Sequence, residues 1–349
     1  MRVQTFLAGM AIGLLVVGCT SQKPPGEEAA EDATELSSIG DEHEPQVAAK
    51  DPQAASRTRE PRGELKLQLQ PGDLFPLKKQ VITTLVQTSS DGTVQEIQTA
   101  LRLMMAIRVE EVTNGRTRLG VRYQRVEFDQ MMDGRKLAYR STNPPAEIPV
   151  VARAYHDMVN DGFSFWIGQD NQIHEVIGFR EFLERCLANV PVAQRKQVLL
   201  GMEAGADENG ISDFVDNTIG LLPFGQEVSP GEEWTRHRSI SRPIPMIVQC
   251  KYTLQELTDS EATVKITGDI IPSQSSNQVD MVQHVQNDDL RVTVLGGSTV
   301  GQCVIFRDTG LPKESYTERV VNMTVEMGNG LAFDQTKTVQ TRVESYPGQ

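Results

Sequence analysis

From Leu65 onward, hydrophobic and polar positions alternate in long runs, interrupted by one central stretch in which the apolar period lengthens to three or four residues. In residues 116–123 the apolar positions Leu119, Val121 and Tyr123 alternate with Arg116, Arg118 and Arg122, the pattern of a half-buried strand with a solvated arginine face. The phase then moves to Val126 and Phe128, as a bulge requires. Asn114-Gly115 is a hairpin turn leading back to residues 104–112. Residues 77–88 and 94–109 read as further antiparallel strands around Ser89-Ser90-Asp91-Gly92.

The middle third changes period. Residues 147–160 read as a helix, followed by a hairpin of 163–167 and 173–177. Phe179, Phe182, Leu183, Cys186 and Leu187 then fall at i, i+3, i+4, i+7 and i+8, the stripe of an amphipathic helix. Pro191 opens another helix to about Ala204. A third stripe, Ile211, Phe214, Val215, Thr218, Ile219 and Leu222, closes at Pro223. Helices this short need a sheet or one another to cover their apolar faces.

Alternation returns after Pro230-Gly231. Strands are expected at 235–241, 247–257, 261–271, 290–295, 300–307, 314–327 and 331–343. Asp308-Thr309-Gly310 and Gly328-Asn329-Gly330 supply turns, and Gly296-Gly297-Ser298-Thr299 reads as a tight turn between two strands. Residues 272–288 are polar and longer than a hairpin connection needs.

The two β-rich parts echo each other. Pro71-Gly72-Asp73-Leu74-Phe75 matches Pro230-Gly231-Glu232-Glu233-Trp234, each just before a strand. Residues 111–115 match 256–260, and without a gap Leu119 and Val121 then fall on Val264 and Ile266. Hairpins also converge on such turns without common descent. The expected class is therefore α+β: mainly antiparallel β, with a helical insertion at 144–225 between β parts at 64–143 and 226–349. The two β parts are related subdomains if the echo is a duplication.

Ahead of the β-rich body, Arg2 precedes an apolar run from Phe6 to Val17 that is short for a membrane span, and Gly18 stands before Cys19. This resembles the lipobox of bacterial lipoprotein signals. The resemblance implies cleavage after Gly18, lipidation of Cys19 and attachment to a membrane of the cell envelope. Thr20 in place of Asp favours the outer membrane over the inner by the same resemblance. Residues 20–63 contain no Phe, Tyr or Trp and are rich in Glu, Ala, Pro, Ser and Asp, the composition of a disordered acidic tether. Such a chain spans about 35–40 Å.

The full chain has 34 basic and 47 acidic residues, a net charge of −13. Cleavage removes Arg2 and leaves 33 basic residues against 47, or −14. An acidic surface repels phosphate backbones, which argues against nucleic acid as a partner. With Cys19 lipidated, Cys186, Cys250 and Cys303 remain, and Cys250 with Cys303 is the candidate disulfide between two strands. No spacing fits a zinc site, a C-x-x-C motif, an H-E-x-x-H motif, a nucleophile elbow or a phosphate-binding loop. Residues 205–216 follow an EF-hand spacing only in part, with Gly205 where the first carboxylate belongs, and read better as a helix start. No catalytic residue, metal ligand or cofactor is assigned. Phe163-Ser164-Phe165-Trp166-Ile167 is apolar on both strand faces, which makes Phe163, Phe165 and Trp166 a candidate ligand wall.

Several stretches resemble envelope lipoproteins of planctomycetes: Asn143-Pro144-Pro145-Ala146, residues 162–168, Gly220-Leu221-Leu222-Pro223, Arg242-Pro243-Ile244-Pro245-Met246 and Phe333-Asp334-Gln335-Thr336-Lys337. That family brings no activity with it. The sequence points to a non-enzymatic, membrane-anchored envelope protein that binds an apolar or amphipathic ligand or an envelope protein on a sheet. A structural or assembly module is the alternative, and an enzyme with a site dispersed along the chain comes third.

Overall fold

The computed structural model describes residues 62–132, 134–201, 214–215, 217–240, 246–273, 290–327 and 331–346. The signal, Cys19, the tether up to residue 61, most of the EF-hand-like stretch, residues 274–288 and Gly328-Asn329-Gly330 lie outside them. Strands are β1 (Gly63–Glu64), β2 (Leu74–Ser89), β3 (Val94–Thr113), β4 (Arg116–Met132), β5 (Arg135–Arg140), β6 (Gly162–Ile167) and β7 (Ile173–Ile177). They continue as β8 (Glu227–Val228), β9 (Glu233–Ile240), β10 (Met246–Leu257), β11 (Glu261–Pro272), β12 (Leu290–Phe306), β13 (Pro312–Met327) and β14 (Ala332–Ser345). Three short helices, α1 (Val150–Asp157), α2 (Phe179–Cys186) and α3 (Val192–Gly201), are described.

The α+β expectation is corrected. The chain is mainly antiparallel β, 63% strand and 10% helix, and one 12-stranded sheet runs through both β parts. Its order is β7-β6-β4-β3-β2-β14-β13-β12-β11-β10-β9, with β5 on β4. The pairing that fuses the parts is β14 on β2, continuous from Phe333↔Ser89 to Ser345↔Leu77. The helices do not build a layer of their own. On the buried face of one half of the sheet, α1 packs against β4 and α2 against β6, and α3 packs against α1.

Alternation becomes packing directly. Leu101, Leu103, Met105, Ile107 and Val109 of β3 face the same side as Leu119, Val121 and Tyr123 of β4, and the shift to Val126 and Phe128 is a bulge between Met104 and Met105 in the pairing. Phe182 of α2 is fully buried, with its ring 5.7 Å from Tyr123 and 5.4 Å from Phe163. Tyr155 of α1 stacks on Phe128 at 5.1 Å.

Two further expectations change. Residues 296–299 make no turn: β12 is a single 17-residue strand with a bulge between Val294 and Gly296, because β11 and β13 pair on either side of it. Gly63 belongs to β1, paired with Val228, so the body begins before the expected boundary.

The two sequence echoes occupy the same corner. Gly72 and Gly231 both have positive φ, +97° and +87°. The Gly72 N–H donates to Val109 O at 2.8 Å and the Val109 N–H to Asp73 O at 2.9 Å. The Gly231 N–H donates to Leu254 O at 2.7 Å and the Leu254 N–H to Glu232 O at 3.1 Å. A bulge follows each, between Val109 and Glu111 and between Leu254 and Glu256. The next turns differ. Asn114 and Gly115 have φ of +48° and +71°, whereas Asp259 and Ser260 are not left-handed and Thr258 caps the turn by accepting from the Glu261 N–H.

Candidate functional site

The expected ligand wall does not form one. Burial along β6 alternates, so the strand is covered on one face only. Phe163 and Phe165 are core residues, and the Phe163 ring meets Phe179 at 5.0 Å. Trp166 points to the opposite face, where the Arg116 guanidinium lies 5.0 Å over its ring. An aromatic run reads as apolar on both faces, yet an arginine stacked on the outer ring makes that face a polar one.

The candidate disulfide is also absent. Cys186, Cys250 and Cys303 are free thiols, and β11 separates the strands that carry Cys250 and Cys303. Burial pushes the Cys186 thiol up to about 12, with Asp161 and Asp157 adding to the rise. Burial likewise pushes Cys303 up to about 12. Both are protonated, poor nucleophiles. His174 bonds Asp170 at 3.0 Å on an exposed turn, and Arg118 pairs with Glu110 at 2.7 Å. The described residues contain no group of three His, Cys, Asp or Glu side chains placed for a metal ion.

What the structure builds instead is an apolar cavity of about 220 Å³ at the end of the inner face. Phe75 and Leu77 of β2 and Ile107 of β3 form one wall, with Phe75 and Ile107 directly opposed in register. Phe306, Leu311 and Pro312 from the β12–β13 turn form the other. The turn is fixed by the Gly310 N–H donating to Phe306 O at 2.8 Å and the Phe306 N–H donating to Leu311 O at 2.9 Å. Gly310 has φ of +75°, and a Cβ there would meet Lys66 O at 2.3 Å. Residues 65–70 run close past it, the Gln68 N–H donating to Thr309 O at 2.9 Å. Among the described residues, the polar side chains at the cavity are those of Asp308, Thr309 and Ser345. Pockets that enclose a whole small ligand usually span about 300–1,000 Å³, and this cavity is smaller than that.

Sequence reading recognised the Asp308-Thr309-Gly310 turn but not the cavity. Its two walls meet only because β14 pairs with β2, and no local pattern contains that long-range pairing.

A profile for a family of unknown function, DUF6263, matches residues 114–312, more than half of the chain. The chain belongs to the DUF6263 family. The region shared with DUF6263 runs from the β3–β4 turn to the start of β13, and so includes the helices and the Phe306–Pro312 wall but not Phe75 or Leu77. No curated protein matches this DUF6263 sequence. Among solved structures it is similar to lipovitellin, with 11% identity and a TM-score of 0.47 over 80% of this chain and 26% of that one. The DUF6263 chain thus spans about a quarter of the lipovitellin chain. OpdL of Pseudomonas aeruginosa gives 7% identity and a TM-score of 0.20, covering 79% of this chain and 99% of that one. An outer membrane channel of Pseudomonas putida F1 gives 8% and 0.18, covering 79% and 97%. At these TM-scores none of the three carries a functional argument for DUF6263.

Proposed function

We propose that this chain is a lipid-anchored protein of the bacterial cell envelope, of the planctomycete type its motifs resemble, that binds an apolar or amphipathic ligand. The cavity between Phe75, Leu77 and Ile107 on one side and Phe306, Leu311 and Pro312 on the other carries the reading. Burying apolar surface there is favourable by about 25 cal/mol per Å², and a nearly all-carbon lining offers a ligand's polar end nothing but the rim. The ligand is therefore one with an acyl or comparable apolar arm and a head left at Asp308 and Thr309. The anchor half of the proposal rests on residues 1–19, with Cys19 acylated and the outer membrane as its destination.

Extraction of the purified native protein into organic solvent, followed by mass spectrometry, is expected to release an amphiphile, or the stripped protein to take up oleate. Ile107→Trp fills the cavity and is expected to abolish both. Native protein that neither carries nor takes up an amphiphile contradicts the binding reading. An intact mass without acyl chains on Cys19 contradicts the anchor.

A further inference from the structure

We infer that the outer face of β2, β3 and β4 docks onto a bilayer surface that carries anionic headgroups. The presence of a membrane rests on the lipid-anchored reading above, whereas the face itself rests on side-chain placement. Strand register sets Lys78, Met104 and Arg125 side by side, then Pro76, Ala106 and Arg122, then Leu74, Arg108 and Gly120. No carboxylate stands among them. The alternate positions Leu77, Ile107 and Val121 are buried on the opposite face, so this set faces away from the core. Lys78, Arg108, Arg122 and Arg125 are exposed, and Leu74 is 59% exposed.

Neighbouring cations are matched from within the chain. Arg118 pairs with Glu110 at 2.7 Å, Arg102 and Arg140 with Asp129 at 3.0 and 2.8 Å, and Lys78 reaches Glu344 at 3.5 Å. Among the described residues, Arg108, Arg122 and Arg125 have no hydrogen bond and no ion pair. The acids closest to them in the fold are already engaged or face another arginine. Glu110 also accepts from Ser164 at 2.9 Å, Glu111 is opposite Arg118, and Asp161, whose charge reaches Arg122, bonds Arg185 at 2.6 Å. Diagonal neighbours on adjacent strands lie about 7–8 Å apart, so Arg108 and Arg122 repel each other, and an anion from outside relieves that repulsion. Acids outnumber bases 47 to 34 in this chain, so composition alone does not empty a patch of carboxylates.

The apolar members of the patch favour a bilayer over an acidic protein. A guanidinium takes a headgroup phosphate through two parallel hydrogen bonds, while an exposed leucine enters the boundary between headgroups and acyl chains. Leu74 is close in sequence to Arg62, behind which residues 20–61 lead back to the proposed anchor at Cys19. Phe75, Leu77 and Ile107 of the same strand segments line the apolar cavity on the other face, so docking holds that cavity at a source of amphiphiles.

The test is modification of arginines by phenylglyoxal, read by peptide mass, on the native chain with vesicles of phosphatidylcholine alone or mixed with an equal part of phosphatidylglycerol. Protection of Arg108, Arg122 and Arg125 is expected on the mixed vesicles only and is lost at high salt, while Arg180, with a side chain 83% exposed, labels equally on both. In Arg122→Gln/Arg125→Gln protein the ratio of docked to free chain, read from Arg108, is expected to fall about fivefold per arginine removed. Lys265→Gln, an exposed cation on β11, leaves that ratio unchanged. Attachment to phosphatidylcholine alone reports the anchor, so its loss sinks the anchor and leaves the face to be judged by the mixed vesicles. Equal labelling of the three arginines on both vesicles, protection of Arg180 to the same degree, or an unchanged ratio in the folded double variant overturns the proposal. Protection by polyglutamate but not by phosphatidylglycerol overturns it in favour of an acidic polypeptide. The footprint of the native chain decides even if a variant fails to fold.

Discussion

The meanders β2–β3–β4 and β9–β10–β11 start from the same corner, with a left-handed glycine, a reciprocal pair of backbone hydrogen bonds and a bulge at matching positions. They end under different cover. The first receives α1, α2 and α3 and packs into one large cluster, from Leu77 to Val343 in sequence. The second is served by Leu65, Leu221, Leu222 and Val228 in a smaller cluster, and a third cluster is drawn from residues of β10–β14. Similar local chemistry thus sets how a strand begins, while the segments laid over the sheet decide what covers its buried face. The apolar cavity lies at the margin of the first meander, with one wall from Phe75, Leu77 and Ile107 of β2 and β3 and the other from the β12–β13 turn.

The largest effect expected from this contrast is in the helix-covered core. Phe182→Ala removes a ring packed against Tyr123, Phe163 and Phe179 and is expected to cost about 3–5 kcal/mol in urea unfolding. Ile305→Val in the other half is expected to cost only about 0.5–1.5 kcal/mol. A loss below about 1 kcal/mol after Phe182→Ala would break the account of the helix-covered core.

Gly310→Ala tests the rim of the apolar cavity. A left-handed non-glycine residue costs about 1–3 kcal/mol, and its Cβ would also crowd the Lys66 carbonyl. Reduced amphiphile uptake together with lower stability is expected, and a neutral result would show that residues 65–70 are not held at the turn.

A smaller effect concerns pH. The Arg185 guanidinium beside Asp161, 2.6 Å from its carboxylate, holds that carboxyl below the usual value of 3.8. A depressed folded value adds stability that is fully present above the ordinary carboxylate range and is lost as pH falls through the folded value. Acid unfolding of the native chain is therefore expected to be steeper than that of Asp161→Asn. Matching acid limbs would remove this ion pair from the account.

The smallest signal is thiol labelling. Cys186 and Cys303 are both buried and protonated, so iodoacetamide reaches either only through opening of its surroundings. Cys303 is expected to label sooner than Cys186, because the helix-covered core opens last. The reverse order would place the weaker half under the helices.

Much of the sheet was legible in the sequence. The alternation of β3 and β4, the hairpin at Asn114-Gly115 and the matched corners at Gly72 and Gly231 each rest on short-range periodicity or turn chemistry, which the chain carries locally. The class was misread because helical stripes reveal a helix's buried face without revealing that the described helices decorate one continuous sheet. Gly296-Gly297 was misread because glycine serves a bulge inside a strand as readily as a turn between strands. The candidate site was the least legible part. Phe163, Phe165 and Trp166 advertise apolar surface, whereas the cavity depends on β14 closing against β2 more than two hundred residues away in sequence.

Hydrogen exchange of the native chain with and without oleate addresses the central claim most directly, since it reports both halves in one experiment. Ligand-dependent protection is expected at residues 74–77, 105–108 and 306–312, with β6 and β7 unchanged. Protection centred on Phe163, Phe165 and Trp166, or no change anywhere at saturating oleate, would contradict the assignment of the ligand to the cavity beside the β12–β13 turn.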